Sequence, residues 1–229
     1  MILRAHDVRK NFENAETGEK LEILRGVSLE VTKPETVAIM GRSGCGKSTF
    51  ISLLAGLDSP TSGKIDILGR DLAQLGNREL NVFRAKHIGI VFQQFHLLDH
   101  LTALENARLP LDLNRMPDSD GRAEAMLAKV GLGHRLGHFP QQMSRGECQR
   151  VAIARVLVMK PELLLADEPT GSLDLRTGRE VIDLIFQLAE SEKFALVMAT
   201  HDPKVAERCS RLLYMDAGRL GSERPLEFR

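Results

Sequence analysis

Short apolar runs alternate along this chain with longer stretches in which apolar positions recur every three or four residues. The short runs predict strands at Leu3–Val8, Gly26–Val31, Thr36–Met40, Gly63–Leu68, Ile88–Phe92, Leu163–Asp167, Ala195–Thr200 and Arg211–Met215. Helical spacing predicts Lys47–Ala55, Ala103–Leu111, Gly121–Val130, Arg145–Met159 and Leu175–Glu190. The polar stretch Glu13 to Glu22, which contains Gly18, reads as a hairpin loop. Strand patterns stop between about Gln94 and Arg150 and resume afterwards. The expected architecture is therefore a single domain over residues 1–229, with a mixed α/β core from 1–93 and 151–229 and a helical subdomain inserted at 94–150.

Composition narrows what such a domain can do. Thirty-one basic residues balance thirty-one acidic ones, so no global field draws the chain to nucleic acid or to an anionic membrane. The longest apolar run, Phe194–Ala199, falls far short of the roughly 18 to 20 residues a membrane span needs. The first residues lack the apolar core of a secretory signal, which places the chain in the cytoplasm. Cys45, Cys148 and Cys209 cannot all pair and have no ligand-like spacing, which argues against a disulfide framework or a zinc site.

The strand at Thr36–Met40 runs into Gly41-Arg42-Ser43-Gly44-Cys45-Gly46-Lys47-Ser48, which fits G-x-x-x-x-G-K-[ST] with a strand before it and a helix after. Glycines in such a loop let backbone N–H groups curl around phosphate oxygens, and the helix N-terminus adds positive potential. Lys47 is then placed to neutralise β- and γ-phosphate charge, and Ser48 to offer a hydroxyl to Mg²⁺. The same potential should favour the thiolate of Cys45.

Two acids, Asp167 and Glu168, directly follow the buried-type strand Leu163–Ala166. Ligand crevices of open α/β sheets lie at the carboxyl ends of the strands, so these acids should face Lys47. Asp167 suits Mg²⁺, and Glu168 is placed to take a proton from an attacking water or to orient it. His201 ends another apolar strand and should reach the same crevice, where its ring can bond a γ-phosphate oxygen. Farther back, Ser144-Arg145-Gly146-Glu147 forms a capping box opening a helix, which gives the chain a second Gly-containing helix N-terminus.

The ordered set GRSGCGKST, VFQQF, MSRGECQRVAIAR, LLLADEPTGSLD and THD resembles an ABC-type ATPase subunit over essentially the whole chain. The segments PTSGKIDILG, VFQQFHLL and LTALENARLPL are most similar to the lipoprotein-releasing (LolD-like), macrolide-exporter (MacB-like) and FtsE-like group. The resemblance implies a P-loop NTPase fold with an N-terminal antiparallel β subdomain, ATP and Mg²⁺ as ligands, and Thr49 as part of the phosphate site. It further implies that Phe12 stacks on adenine and that Gln93 touches Mg²⁺ or the attacking water. Ser144 and Gly146 would close over the γ-phosphate held by a second copy, and Asp174 would lie at the seam of that head-to-tail homodimer. Phe12 can equally belong to the core, and Arg145 stands where the family usually has a first glycine, its guanidinium expected to point outward.

Three functions remain in view. The resemblance points to an ATPase subunit on the cytoplasmic face of the membrane that drives an integral permease, with Phe95, Leu97, Leu98 and Leu101 either receiving a partner helix or filling the subdomain core. A soluble ABC-type ATPase acting on nucleic acid or ribosomes would be expected to carry a coiled-coil insert, a second cassette or a basic stripe, and the sequence has none. A P-loop phosphotransferase would leave the capped helix and Asp174 without a purpose.

Overall fold

The computed structural model describes residues 1–13, 18 and 20–222. The chain opens with β1 (Leu3–Glu13), β2 (Lys20–Val31) and β3 (Thr36–Met40), followed by α1 (Lys47–Leu54), β4 (Ser62–Ile67), β5 (Arg70–Asp71), α2 (Asn77–His87) and β6 (Ile88–Val91). Helices α3 (Ala103–Leu113), α4 (Ser119–Lys129) and α5 (Arg145–Leu157) come next. It closes with β7 (Leu163–Asp167), α6 (Leu175–Glu192), β8 (Ala195–Thr200), α7 (Pro203–Ala206), β9 (Arg211–Asp216) and β10 (Arg219–Gly221).

Two sheets result. An antiparallel sheet has the order β2-β1-β4-β5, and a larger one has the order β10-β9-β3-β8-β7-β6. In the larger sheet β9, β3, β8, β7 and β6 run parallel, and only the edge strand β10 is antiparallel. Strands covered on both faces need apolar residues at every position, and Leu163 to Ala166 and Ala195 to Ala199 are all fully buried. Along β7, Leu163 and Leu165 face one hydrophobic cluster, shared with α1 and the antiparallel sheet. Leu164 and Ala166 face the other, shared with α3 to α6. This confirms the mixed core with an antiparallel sheet beside it and helices on its far face.

The departures from expectation have physical causes. Strands β1 and β2 extend well past Val8 and Gly26, pairing out to Phe12↔Leu21 and Glu13↔Lys20. Their far half is held by backbone pairing while its side chains stay largely in solvent, so no apolar alternation marks it. The hairpin loop expected at Glu13–Glu22 thus loses its ends to strands, and residues 14–17 and 19 lie outside those described. Helix α2 escaped prediction because Phe83 is its one buried residue. Its signature is charge rather than period, with Glu79 in the first turn and Arg84, Lys86 and His87 in the last. Among the described residues no strand lies between Val91 and Leu163, as the pattern required. Helix α5 runs through residue 150, as the helical spacing over Arg145–Met159 predicts, and packs against α3, α4, α6 and β6.

Candidate functional site

Parallel register brings the functional loops to one edge. Met40 lies opposite Thr200 and Asp167 opposite Ala199, so the segments after β3, β7 and β8 leave the sheet together. The loop after β3 ends at Gly46, the N-cap of α1, with φ 110° and no side-chain cap. No acid occupies the first turn of α1, so no side-chain carboxylate there competes with an external anion for the positive end of the helix. Glycine is required at 46 twice over: the backbone is left-handed, and a Cβ would meet Leu24 Cδ2 at 2.9 Å and Ile23 O at 3.2 Å. Arg42, Ser43 and Gly44 form the exposed crown of the loop, and Ser48 is exposed at the start of the helix beside the half-buried Thr49.

Lys47 is buried, and its ammonium donates to the carbonyls of Gly41 (2.8 Å) and Arg42 (3.0 Å). Its Nζ also lies 3.6 Å from Glu168 Oε1. The expectation for Cys45 is reversed. Burial pushes its thiol up, outweighing the Lys47 charge and the backbone N–H groups that pull it down. The sulfur packs beneath the loop, 2.5 Å from where a Cβ on Gly41 would stand.

Glu168 follows β7 with a left-handed φ of 45°, held by its N–H bond to Ala199 O at 3.0 Å. Strained non-glycine residues of this kind persist where the surroundings over-determine them, and functional sites are where they collect. Its second oxygen lies 3.1 Å from His201 Nδ1, so ammonium, carboxylate and imidazole stand in one line. Burial pushes the Asp167 carboxyl up, against the hydroxyl bond from Ser48. Asp167 Oδ1 is buried without a hydrogen-bond partner. An orphaned carboxylate oxygen beside a serine hydroxyl fits a hard cation that takes few protein ligands and keeps its waters, as Mg²⁺ does. Among the described residues no group of three or more His, Cys, Asp or Glu side chains could hold a metal by itself.

Gln93 lies against Gly171 in the loop that follows Glu168: a Cβ there would be 2.8 Å from its Nε2. Ser172 Oγ donates to Gln93 O at 3.0 Å, tying the loops after β6 and β7 together. Sequence reading missed Gln149, a fully buried glutamine of α5 whose Nε2 donates to Pro169 O (2.6 Å) and Phe92 O (3.3 Å). The one signal it gave was a polar side chain among the apolar positions of α5. Arg155, also missed, donates from the same helix to Phe95 O and His96 O.

The α5 N-terminus is built differently from that of α1. Ser144 Oγ accepts from Glu147 N–H (3.2 Å), and Glu147 Oε2 accepts from Ser144 N–H (2.8 Å), the expected capping box. That backbone N–H bond holds the Glu147 carboxyl below the usual glutamate range. Arg145 is exposed, as expected, and at the surface its Nη1 donates to Ser172 O at 3.0 Å. Gly146 is buried against α6, where a Cβ would lie 2.2 Å from Thr177 Cγ2. Asp174 caps α6 by accepting from Arg176 N–H (3.1 Å) and Thr177 N–H (3.0 Å), which holds its carboxyl low. Phe12 is not core: it is 47% exposed, with Lys10 Nζ 5.0 Å from its ring centre. Of the four apolar residues after Gln93, Leu98 is exposed and Leu97 packs on the helical cluster, while Phe95 and Leu101 are half-buried.

The family model described as ABC transporter matches residues 24–171. The Escherichia coli (strain K12) "Uncharacterized ABC transporter ATP-binding protein YbbA" is 44% identical over 224 residues, covering 97% of each chain. The Pseudomonas fluorescens "Lipoprotein-releasing system ATP-binding protein LolD" is 44% identical over 221 residues, covering 96% of each. Among solved structures, the dimeric post-hydrolysis state of the ATP-binding cassette MJ0796 bound to ADP and Pi superimposes with a TM-score of 0.87 at 37% identity, covering 100% of this chain and 99% of that one.

Proposed function

Because this chain belongs to the ABC transporter family of ATPases, we propose that it is the ATP-hydrolysing subunit of a lipoprotein-release or export-type system, closing head to tail with a second copy and driving a separate integral permease from the cytoplasmic face. The observation that carries the reading is the line Lys47–Glu168–His201 beside the uncapped N-terminus of α1. In this reading the N–H groups of Gly41, Arg42, Ser43, Gly44, Cys45 and Gly46 receive the β- and γ-phosphates with Lys47, and Thr49 completes the first turn around them. Ser48, Asp167 and Gln93 would hold Mg²⁺, which when bound neutralises charge on the phosphates. Glu168 takes the proton of the attacking water, and His201 contacts that carboxylate in the nucleotide-free chain and can turn its one N–H toward the γ-phosphate once nucleotide is bound. Phe12 offers an exposed face to adenine.

Ser144, Gly146 and Asp174 are assigned to the nucleotide of the second copy, and the dimeric MJ0796 cassette with ADP and Pi supports that assignment. The printed name of the Pseudomonas LolD relative supports the lipoprotein-release class. None of the helices formed by the described residues is long and apolar enough to cross a membrane, which leaves translocation to a partner. The loop held by Arg155 and Asn106, with exposed Leu98 at its surface, is the proposed seat of that partner.

Glu168→Gln keeps shape and removes the base, so with ATP and Mg²⁺ the variant should accumulate as a dimer by analytical ultracentrifugation while turnover falls by about 100-fold or more. A monomer at saturating ATP and Mg²⁺ would overturn self-sufficient dimerisation. Purification in mild detergent should bring along an integral membrane protein; a clean chain with full ATPase activity and no membrane partner would sink the permease assignment.

A further inference from the structure

At the position where the resemblance implies a glycine, this chain makes a bond that glycine could not make. Arg145, first residue of α5, reaches its own chain's loop after β7 and donates to the carbonyl of Ser172 at 3.0 Å. The same Ser172 donates its hydroxyl to the carbonyl of Gln93 at 3.0 Å. Two residues on, Asp174 caps α6 through Arg176 and Thr177 N–H, and Thr177 carries the methyl against which Gly146 packs. The α5 N-terminus, the 168–174 loop and the Gln93 loop are thus strapped in series.

We propose that Arg145 is a positioning residue that fixes the Ser144–Gly146 end of α5 to the loop carrying Glu168 and Asp174, so that the face offered to a second copy's nucleotide is already ordered before that nucleotide arrives. The inference rests on the dimer reading for its purpose, but the strap itself is a property of one chain. Two features favour positioning over direct contact with phosphate. The guanidinium is already engaged by a carbonyl oxygen in the nucleotide-free chain. The α5 N-terminus beside it already has an anion, the Glu147 carboxylate, which Arg135 also pairs at 3.2 Å. A loop that hangs on short turn bonds, Gly171 N–H to Glu168 O and Leu173 N–H to Thr170 O at 3.0 Å each, gains order from one charged donor across its middle.

The test is amide hydrogen exchange on the nucleotide-free full chain with Arg145, Arg145→Lys and Arg145→Met. Arg145→Met keeps the length and apolar stem but has no donor; Arg145→Lys keeps a charged donor. The strap predicts that Arg145→Met raises exchange about threefold to tenfold at Gly171 and Leu173 and in the Gln93 segment, with α5 amides and the melting midpoint unchanged, and that Arg145→Lys restores much of the protection. Unchanged exchange in Arg145→Met overturns the proposal, as does loosening spread over α5 with a lowered midpoint, which marks a general packing role. In the Glu168→Gln background, ATP-driven dimerisation should weaken about tenfold with Arg145→Met and recover with Arg145→Lys; equal dimerisation across the three also overturns it. If Glu168→Gln with native Arg145 does not dimerise at all, the dimer reading fails alone, because the exchange measurement still decides the strap.

Discussion

Helices α1 and α5 both begin with glycine-containing turns, and they differ in what satisfies their first N–H groups. At α1 no capping side chain does: Gly46 has none, no acid lies in the first turn, and the nearby ammonium of Lys47 bonds carbonyls and Glu168. At α5 Ser144 and Glu147 close the turn on themselves, and Arg135 balances the glutamate. The first end is a cradle whose anion must come from outside. The second is a finished structural element whose exposed side is available to a neighbour without being a phosphate trap of its own. In the proposed dimer one chain would bind its own nucleotide at α1, and α5 would meet a ligand only through the arrival of a second copy.

The sharpest way to break this contrast is to disable each end and compare. Lys47→Ala should weaken ATP binding by the isolated chain on the order of 100-fold, the loss of a buried charged donor at the cradle. Ser144→Ala should leave binding by the isolated chain unchanged within error and act on dimerisation and turnover. Fluorescent-nucleotide titration of both variants decides the matter; equal losses of monomer affinity would erase the distinction drawn between the two ends.

Gly146 offers the next largest effect. Its burial against Thr177 shows a packing reason for glycine that the sequence reading, concerned with phosphate approach, did not contain. Gly146→Ala should destabilise the chain by about 1 to 3 kcal/mol through overpacking, read as a shift in urea midpoint. Thr177→Ala added to it should recover more than half of that loss, since the Thr177 methyl is the group in the way and its Cβ stands at a comfortable 3.7 Å. A single variant of normal stability that fails to dimerise, unrescued by Thr177→Ala, would return Gly146 to the ligand role alone.

What was legible in the sequence follows from the same physics. Strands β3, β7 and β8 carry apolar residues on both faces, and the α5 cap spells itself out as Ser-x-x-Glu, so each could be read directly. The cradle was legible because Gly46, Lys47 and Ser48 act through backbone and adjacent residues, a chemistry written in consecutive positions. Gln149, Arg155 and the Arg145–Ser172 bond were not, because each joins residues 20 to 60 positions apart and depends on which loops the folded sheet brings together. Cys45 failed for a quantitative reason: two opposed effects act on it, and only the fold reveals that burial outweighs the helix end.

Asp167 sharpens the cradle side of the comparison through stability. Its folded pKa is raised by burial, so the charged form is disfavoured in the folded chain. The penalty is absent at low pH, appears as pH rises past the unfolded aspartate value near 3.9, and is complete above the folded value. Asp167→Asn should therefore stabilise the nucleotide-free chain at pH 7, by about 1 kcal/mol, with the gain gone near pH 3. The same change should abolish the Mg²⁺ dependence of ATP binding. Thermal melts across pH with and without Mg-ATP test both halves, and a destabilised Asp167→Asn at pH 7 would show that the orphaned oxygen is satisfied in the resting protein.

The smallest effect belongs to α5 and runs in the opposite direction with pH. Glu147 is held low, first by the Ser144 backbone N–H and then, against burial, by the Ser144 hydroxyl and Arg135. A carboxyl depressed by folding contributes stability that is fully present above the unfolded glutamate value near 4.3 and is lost as pH falls through the folded value. Glu147→Gln keeps the capping acceptor and removes the charge, so at pH 7 it should cost about 0.3 to 1 kcal/mol, the size of a carboxylate at a helix N-terminus, and less in high salt. Below the folded value of Glu147 parent and variant should melt together. No acid in the first turn of α1 can produce such a profile, so a pH-dependent difference that survives in Glu147→Gln with the same shape must come from elsewhere. In that case the α5 end is not closed by its own glutamate, and the two helix ends are more alike than their hydrogen bonds indicate.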